Sequence, residues 1–103
     1  MNGLKDLTVI IPCYRCKETI LETLNCLEDK INIICIDDYS NDGTLEILMN
    51  WRKTLPNLRK VIKHSENKGL GASRNRGVSE SKTEWVMFLD SDDIISSDCF
   101  NDI

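Results

Sequence analysis

Two clusters of aspartate residues stand directly after apolar runs of the chain. Asp37 and Asp38 follow the run 33–36, and Asp90-Ser91-Asp92-Asp93 follows the run 85–89. Short apolar runs are typical of buried strands, so each cluster is predicted where a strand leaves the core. In an open α/β sheet, ligands bind just outside the carboxyl ends of the strands. Two acidic clusters at one edge repel each other, and a divalent cation or a hydrogen-bond-donating ligand between them would relieve that repulsion.

The triplet Asp90-Ser91-Asp92 has the composition of a site for a divalent cation. In an extended backbone, residues i and i+2 point to the same side, so the carboxylates of Asp90 and Asp92 could share one ion. Oxygen ligands suit Mg²⁺ or Mn²⁺, which retain open positions for phosphate oxygens. The alternative is a loop of solvated acids that caps a following helix.

Asp37, Asp38 and Tyr14 could recognise a flat ligand such as a nucleotide base. One of the two carboxylates could accept a hydrogen bond from a ring N–H of the base. Such an acceptor discriminates strongly, because a base without the donor leaves it unpaired. Tyr14 directly follows the first predicted strand, where its ring could stack on a base. The structural alternatives are turn-forming aspartates and a half-buried packing tyrosine.

The glycine-containing segment 69–75 does not match a dinucleotide-binding fingerprint. Arg74 stands at the position of the third glycine, and the segment follows the third predicted strand rather than the first. The chain also lacks G-x-x-x-x-G-K-[ST], which excludes a P-loop. Gly69 could still bring the backbone close to a ligand, since glycine has no side chain to obstruct it. Arg74 could contact a phosphate or be a charge on the surface of a helix.

Cysteine offers a third kind of chemistry, at positions 13, 16, 26, 35 and 99. Cys13 and Cys16 form a C-x-x-C between a predicted strand and a predicted helix, as in thioredoxin-like redox sites. The strand pattern does not fit that fold, and no second paired spacing completes a zinc site. We therefore interpret all five cysteines as reduced thiols, and the single histidine, His64, as a polar loop residue.

The composition limits the classes of function. A chain of 103 residues with 41% hydrophobic content can form one small domain with its own core. The net charge of −4 and the scattered basic residues argue against nucleic-acid binding. No apolar stretch approaches the ~20 residues of a membrane span. The first residues lack the apolar core of a signal peptide, so a cytoplasmic protein is predicted.

Seven predicted elements position the candidate side chains. Strands are predicted at 7–11, 31–36, 58–62 and 85–89, and helices at 17–28, 45–51 and 72–81. Asp42 is the predicted N-cap of the second helix, and a further helix could begin in the tail, 94–103.

Strict alternation of strands and helices is typical of a mostly parallel sheet with helices on its faces. Right-handed crossovers allow strands 1, 2 and 3 to be laid outward in turn, and the chain can then return to place strand 4 beside strand 1. This order, 3-2-1-4, has a topological switch point between strands 1 and 4. The crevice at this point would be lined by residues 12–14 and 90–92, with Asp37 and Asp38 beside it.

Five ordered motifs resemble the amino-terminal, nucleotide-sugar-binding half of a family 2 glycosyltransferase with the GT-A fold. They are residues 9–14 (VIIPCY), 36–44 (IDDYSNDGT), 67–69 (NKG), 72–77 (ASRNRG) and 88–93 (FLDSDD). The resemblance extends over essentially the whole chain. It implies a Rossmann-like, three-layer α/β fold that is truncated, with residues 1–103 forming a single donor domain and a fragment of a longer enzyme.

The resemblance also implies an activity. The activity is metal-dependent, inverting transfer of a sugar from a nucleotide-diphospho-sugar, with a UDP-sugar as the expected donor, to an acceptor hydroxyl in polysaccharide or glycoconjugate synthesis. The implied cofactor is Mn²⁺ or Mg²⁺, which would neutralise the departing diphosphate. A carbohydrate or lipid-linked acceptor leaves open a peripheral association with a membrane. The alternative is a non-catalytic nucleotide-binding or assembly module that retains the fold.

Roles for individual residues follow from the resemblance. Tyr14 would stack on or flank the uracil, and Asp38 would bond its ring N–H. Asp92 would ligate the metal, while Asp90 would face the ribose or support the metal. The predicted donor site is completed by Pro12, Asp37, Gly69, Arg74 and Ser91.

The general base of such an enzyme is expected beyond residue 103. Asp98 and Asp102 are too close to the metal triplet to act as the base, so no catalytic residue is assigned. The fourth predicted strand would have a bare outer edge, and bare edges recruit partners. We therefore expect the isolated chain to self-associate through that strand.

Overall fold

The computed structural model describes residues 6–27 and 29–95. Its strands are β1 (Leu7–Cys13), β2 (Asn32–Asp37), β3 (Arg59–Lys63) and β4 (Trp85–Phe88). They alternate with the helices α1 (Ile20–Asn25), α2 (Thr44–Arg52) and α3 (Leu70–Glu80). None of these three helices has the length and apolar content needed to cross a membrane. The predicted tail helix beyond residue 95 and Cys99 lie outside the described residues.

The four strands form one parallel sheet in the order β3-β2-β1-β4, which confirms the predicted order. β1 continues through Pro12 to Cys13, although Pro12 was predicted to end it. The register explains why proline is tolerated in this central strand. The carbonyl of Ile10 accepts from Leu89 N–H at the end of β4. Pro12, two residues later, faces the same side but lies beyond β4, where no hydrogen bond needs its missing N–H.

Side chains that alternate along β1 and β2 form a core on each face of the sheet. On one face, Ile11 and Cys35 join Ile20 of α1 and Leu48 of α2 in the larger cluster. On the other face, the smaller cluster lies under α3 and consists of Ile10, Ile34, Ile36 and Ile62. Gly77 allows α3 to lie directly on this cluster, because a Cβ atom there would overlap the side chain of Ile10. Helices thus cover both faces, which is the predicted three-layer arrangement.

Within the described residues, β3 and β4 are edge strands, each paired on one side. The edge position predicted for β3 is confirmed. The prediction that the run 85–89 is buried is wrong for β4, since Trp85, Val86 and Phe88 are 51%, 39% and 44% exposed. Apolar composition therefore predicted the strand but not its burial, because an edge strand has a neighbouring strand on one side only.

The helix boundaries differ from the predicted ones. α1 is shorter than 17–28, and α3 begins at Leu70, two residues before the predicted start at 72. The residue before α2 is Gly43, at φ +105°, rather than Asp42. Asp42 still supplies the first turn of α2 with an acceptor, since its Oδ1 receives Thr44 N–H at 3.0 Å and the Thr44 hydroxyl at 2.6 Å.

Candidate functional site

A cavity of about 680 Å³ opens at the carboxyl edge of the sheet, at the switch point between β1 and β4. Among the described residues, those predicted from sequence that line it are Pro12, Tyr14, Asp38, Gly69, Asp90, Ser91 and Asp92. The structure therefore brings together segments that are far apart in the chain, as the predicted topology required.

The acidic segment Asp90-Ser91-Asp92-Asp93 forms a turn, in which Asp93 N–H donates to the carbonyl of Asp90 at 3.1 Å. The predicted extended backbone is therefore wrong. The turn nevertheless brings carboxylate oxygens of Asp90, Asp92 and Asp93 within 4.8 Å of one another, and all three residues are exposed. Three hard oxygen donors at this spacing fit Mg²⁺ or Mn²⁺. Asp93 belongs to this group, although the sequence argument had assigned only Asp90 and Asp92.

Two threonine hydroxyls of the α1 segment attach the acidic turn to the body of the protein. Thr19 Oγ1 donates to the carbonyl of Ser91 at 3.1 Å, and Thr23 Oγ1 donates to the same carbonyl at 2.9 Å. Thr23 is fully buried and lies four residues after Thr19, so both hydroxyls face the same side of the segment. The sequence analysis missed this pair. The feature that could have indicated it is the helical spacing of the two threonines beside the apolar face of α1.

The carboxylate of Asp38 is buried and receives three hydrogen bonds. Oδ1 accepts from His64 Nδ1 and from Lys68 N–H, both at 2.8 Å, and Oδ2 accepts from Gly69 N–H at 2.8 Å. Burial raises the pKa of the Asp38 carboxyl, but these three donors outweigh burial and hold that pKa below its ordinary value. Asp38 is therefore an ionised acceptor at neutral pH.

His64 is a loop residue, as interpreted from the sequence, but its side chain is buried. It directly follows β3, and its backbone N–H donates to the carbonyl of Asp37 at 2.9 Å. Since Nδ1 faces a carboxylate oxygen, that ring nitrogen carries a proton. The signal in the sequence was the position of His64 at the carboxyl end of a strand, beside the strand that ends in Asp37.

Asp37 lies on the opposite face of β2 from Asp38, because successive side chains of a strand alternate. The structure places Asp37 outside the 680 Å³ cavity, on a smaller cavity that Tyr39 and Lys63 also line. Its Oδ2 accepts from Ser40 N–H at 3.4 Å, and its buried Oδ1 has no hydrogen-bond partner among the described residues. Asp37 was expected to lie beside the ligand in the larger cavity, but the structure places it outside that cavity.

Arg74, on α3, is near the acidic turn but does not line the cavity. Its guanidinium lies 3.8 Å from Asp90 Oδ1 and 5.6 Å from the centroid of the Phe88 ring. The Nε atom of Arg74 is buried and has no hydrogen-bond partner among the described residues. Arg74 is therefore a half-exposed charge on a helix, and its contact with a phosphate stays a prediction.

The turn between β1 and α1 carries Tyr14, whose ring is half-exposed at the mouth of the cavity. Residues that follow β2 fix this turn. Ser40 Oγ accepts from Arg15 N–H at 2.8 Å, and Thr44 Oγ1 accepts from Cys16 N–H at 3.2 Å. The position of Tyr14 is therefore set by the same loop that follows Asp37 and Asp38.

Cys13 and Cys16 are free and buried. The hydrogen bond with Cys13 and burial raise the pKa of the Cys16 thiol. A raised pKa keeps a thiol protonated and disfavours redox chemistry. The structure thus agrees with the interpretation of this C-x-x-C as a pair of reduced thiols.

Known proteins match this chain in both sequence and fold. The sequence profile of Glycosyl transferase family 2 matches residues 8–103. A poly(ribitol-phosphate) beta-glucosyltransferase of Bacillus spizizenii is 34% identical over 98 residues, which are 89% of this chain and 16% of that protein.

Two solved structures extend the comparison. The structure of TarS from S. aureus has a TM-score of 0.84 at 32% identity and covers 94% of this chain and 30% of its own. A mannosyltransferase from Pyrobaculum calidifontis, in complex with GDP-Man and Mn²⁺, has a TM-score of 0.77 at 27% identity, with coverages of 86% and 28%. The chain therefore spans less than a third of the length of each protein compared.

Proposed function

The chain belongs to glycosyltransferase family 2, and we propose that residues 1–103 form the donor-binding domain of a GT-A glycosyltransferase that uses a nucleotide-diphospho-sugar. The observation that carries this proposal is the convergence of Tyr14, Asp38 and the acidic turn on one cavity at the switch point of the sheet. The Mn²⁺ and GDP-Man bound by the Pyrobaculum calidifontis mannosyltransferase support it.

Asp38 and Tyr14 are the residues that we assign to the base. A carboxylate has about four acceptor positions, and three donors to Asp38 leave one free on Oδ2. That position suits the ring N–H of uracil, while the half-exposed ring of Tyr14 offers a stacking surface. The ring N–H of guanine has the same donor character, so binding measurements must decide between UDP-sugar, which we expect, and GDP-sugar.

Asp92 and Asp90 are the residues that would hold Mn²⁺ or Mg²⁺, with Asp93 within reach of the same ion. A metal bound there supplies positive charge that stabilises the departing diphosphate. Arg74 adds a half-exposed guanidinium beside the same turn, which could pair with a phosphate oxygen. Gly69, Ser91 and Pro12 would line the path of the donor.

We further propose inverting transfer to a hydroxyl of a carbohydrate or lipid-linked acceptor in polysaccharide or glycoconjugate assembly. The name of the Bacillus spizizenii relative supports this, because a beta linkage is what inversion of an alpha-linked nucleotide sugar gives. The residues that we assign to donor binding all lie among the described ones, so donor binding is the step to test first.

Calorimetric titration with UDP, in the presence and absence of Mn²⁺, tests the donor site. We expect metal-dependent binding that is lost in Asp92→Asn while the circular dichroism of the variant is unchanged. GDP and CDP serve as base controls. A folded wild-type protein that binds none of the three nucleotides with Mn²⁺ would refute the proposal. Binding of equal strength without metal would favour a nucleotide-binding module that does not depend on the acidic turn.

A further inference from the structure

His64 and Asp38 form a contact that is screened from solvent. Their side chains are 3% and 5% exposed, and Nδ1 of His64 lies 2.8 Å from Asp38 Oδ1. Asp38 lines the donor cavity, whereas His64 does not line it. The imidazole therefore reaches the cavity only through the carboxylate that it contacts.

We propose that His64 is a positioning residue, which holds the Asp38 carboxylate so that its free acceptor position faces the base and selects bases with a ring N–H. This inference rests on the proposed donor-binding function. It adds a residue that contacts no ligand but determines which base the site accepts.

The hydrogen-bond count shows what His64 contributes. Oδ1 of Asp38 receives two donors, from His64 and from Lys68 N–H, so both of its acceptor positions are filled. Oδ2 receives only Gly69 N–H, which leaves one position. Without the imidazole, Oδ1 would also have a free acceptor position, and each carboxylate oxygen would accept one hydrogen bond, from Lys68 N–H or from Gly69 N–H. The base would then meet a carboxylate whose orientation is less fixed.

The chemistry of the pair explains the selection. A carboxylate that accepts three hydrogen bonds remains ionised and can only accept. Uracil presents a ring N–H to such a group, whereas cytosine presents a ring nitrogen lone pair at the equivalent position. A buried acceptor that faces a lone pair is unpaired and repelled, so the site rejects cytosine.

A merely structural role for His64 predicts a different result. Asp38 also holds the loop before α3, since Asn67 Nδ2 donates to the Asp38 carbonyl at 3.3 Å and Gly69 N–H donates to its side chain. If His64 only stabilised this loop, its replacement would weaken UDP, CDP and Mn²⁺ binding together. A positioning role changes the ratio of UDP to CDP affinity and leaves Mn²⁺ binding intact.

The test compares two amide variants of similar polarity. In His64→Asn the amide nitrogen replaces Nδ1 and can still donate to Asp38, whereas in His64→Gln the donor is displaced toward the position of Nε2. His64→Leu removes the donor altogether. Dissociation constants for UDP and CDP are measured by calorimetry with saturating Mn²⁺, and Mn²⁺ affinity is measured by electron paramagnetic resonance.

We expect His64→Gln and His64→Leu to lower the ratio of UDP to CDP affinity by about tenfold, the effect of one hydrogen bond to a charged group. His64→Asn should retain most of the ratio, and Mn²⁺ affinity should change by less than about twofold in all variants. If His64→Leu does not fold, the inference is tested by comparing the ratio of UDP to CDP affinity in His64→Asn with that in His64→Gln.

Three outcomes would overturn the inference. An unchanged ratio in a folded His64→Gln or His64→Leu would show that His64 does not set base choice. A parallel loss of UDP, CDP and Mn²⁺ binding would assign His64 a structural role. Absence of nucleotide binding by the wild-type protein would overturn the proposed function itself, and this inference with it.

Discussion

Replacing Thr19 and Thr23 by valine tests how the acidic turn is held. Valine nearly matches threonine in shape, so the loss is mainly one hydroxyl donor. In each single variant the Ser91 carbonyl keeps the other hydroxyl, at 3.1 or 2.9 Å, and the cost should be about 1 kcal/mol, the net value of one hydrogen bond. The double variant leaves the carbonyl without either donor. It should cost about 3 kcal/mol, because an unsatisfied polar group adds its desolvation penalty.

The double variant should therefore lose about 1 kcal/mol more unfolding free energy than the two single variants lose together. Urea unfolding followed by circular dichroism measures it as a double-mutant cycle. Thr54→Val combined with Thr23→Val is the control cycle, since Thr54 Oγ1 donates to the Trp51 carbonyl whereas Thr23 Oγ1 donates to the Ser91 carbonyl. Additivity of Thr19→Val and Thr23→Val within about 0.4 kcal/mol would refute the shared attachment of the turn.

Three further predictions concern the core, the pH dependence and the sheet edge. Gly77→Ala should destabilise the protein by about 1–3 kcal/mol, because the new Cβ would overlap Ile10. Gly71→Ala, in the same helix, places its new Cβ more than 4 Å from every described atom outside its chain neighbours and the adjacent helix backbone. It should stabilise the protein by about 0.5 kcal/mol in the same urea titration. The pKa of Asp38 is lower in the folded state than its unfolded value of 3.8. The ionised Asp38 carboxylate therefore stabilises the folded protein above pH 3.8, and this contribution is lost as the pH falls through the folded-state pKa. Unfolding free energies measured below pH 4 should therefore fall less steeply in Asp38→Asn, and equal slopes would contradict this. Sedimentation velocity should show concentration-dependent self-association that Val86→Lys abolishes, since a charge on an exposed edge strand opposes pairing; a monomeric wild-type protein at high concentration would contradict it.

The strand order and the location of the site could be predicted from the sequence. Alternating strands and helices with right-handed crossovers leave few topologies, and 3-2-1-4 is one of them. Asp38 and Asp90 stand at strand ends in the sequence itself, and parallel strands bring their carboxyl ends to one edge. The location of the site therefore followed from topology and did not depend on any side-chain contact.

The contacts behind the site could not be predicted in this way. His64 contacts Asp38 only because β3 lies beside β2 in a register that pairs Asp37 with Lys63, and no local pattern specifies that register. The carbonyl that Thr19 and Thr23 share lies about seventy residues later in the chain, so no local pattern reveals their common partner. The exposure of Val86 was missed for a related reason, because an apolar run does not reveal how many neighbours its strand has.

The pairing of β1 with β4 has a consequence for the order in which the molecule assembles. β1 is the first strand in the chain and β4 the last that the structure describes, yet Leu7 lies beside Trp85 in the sheet. Closing so long a loop is entropically costly, so we expect this non-local pairing to form late in folding. The cavity between these strands is thus absent until β4 docks. A ligand that binds there would favour the completed sheet over every earlier intermediate, so that occupancy of the site would also report that folding has finished.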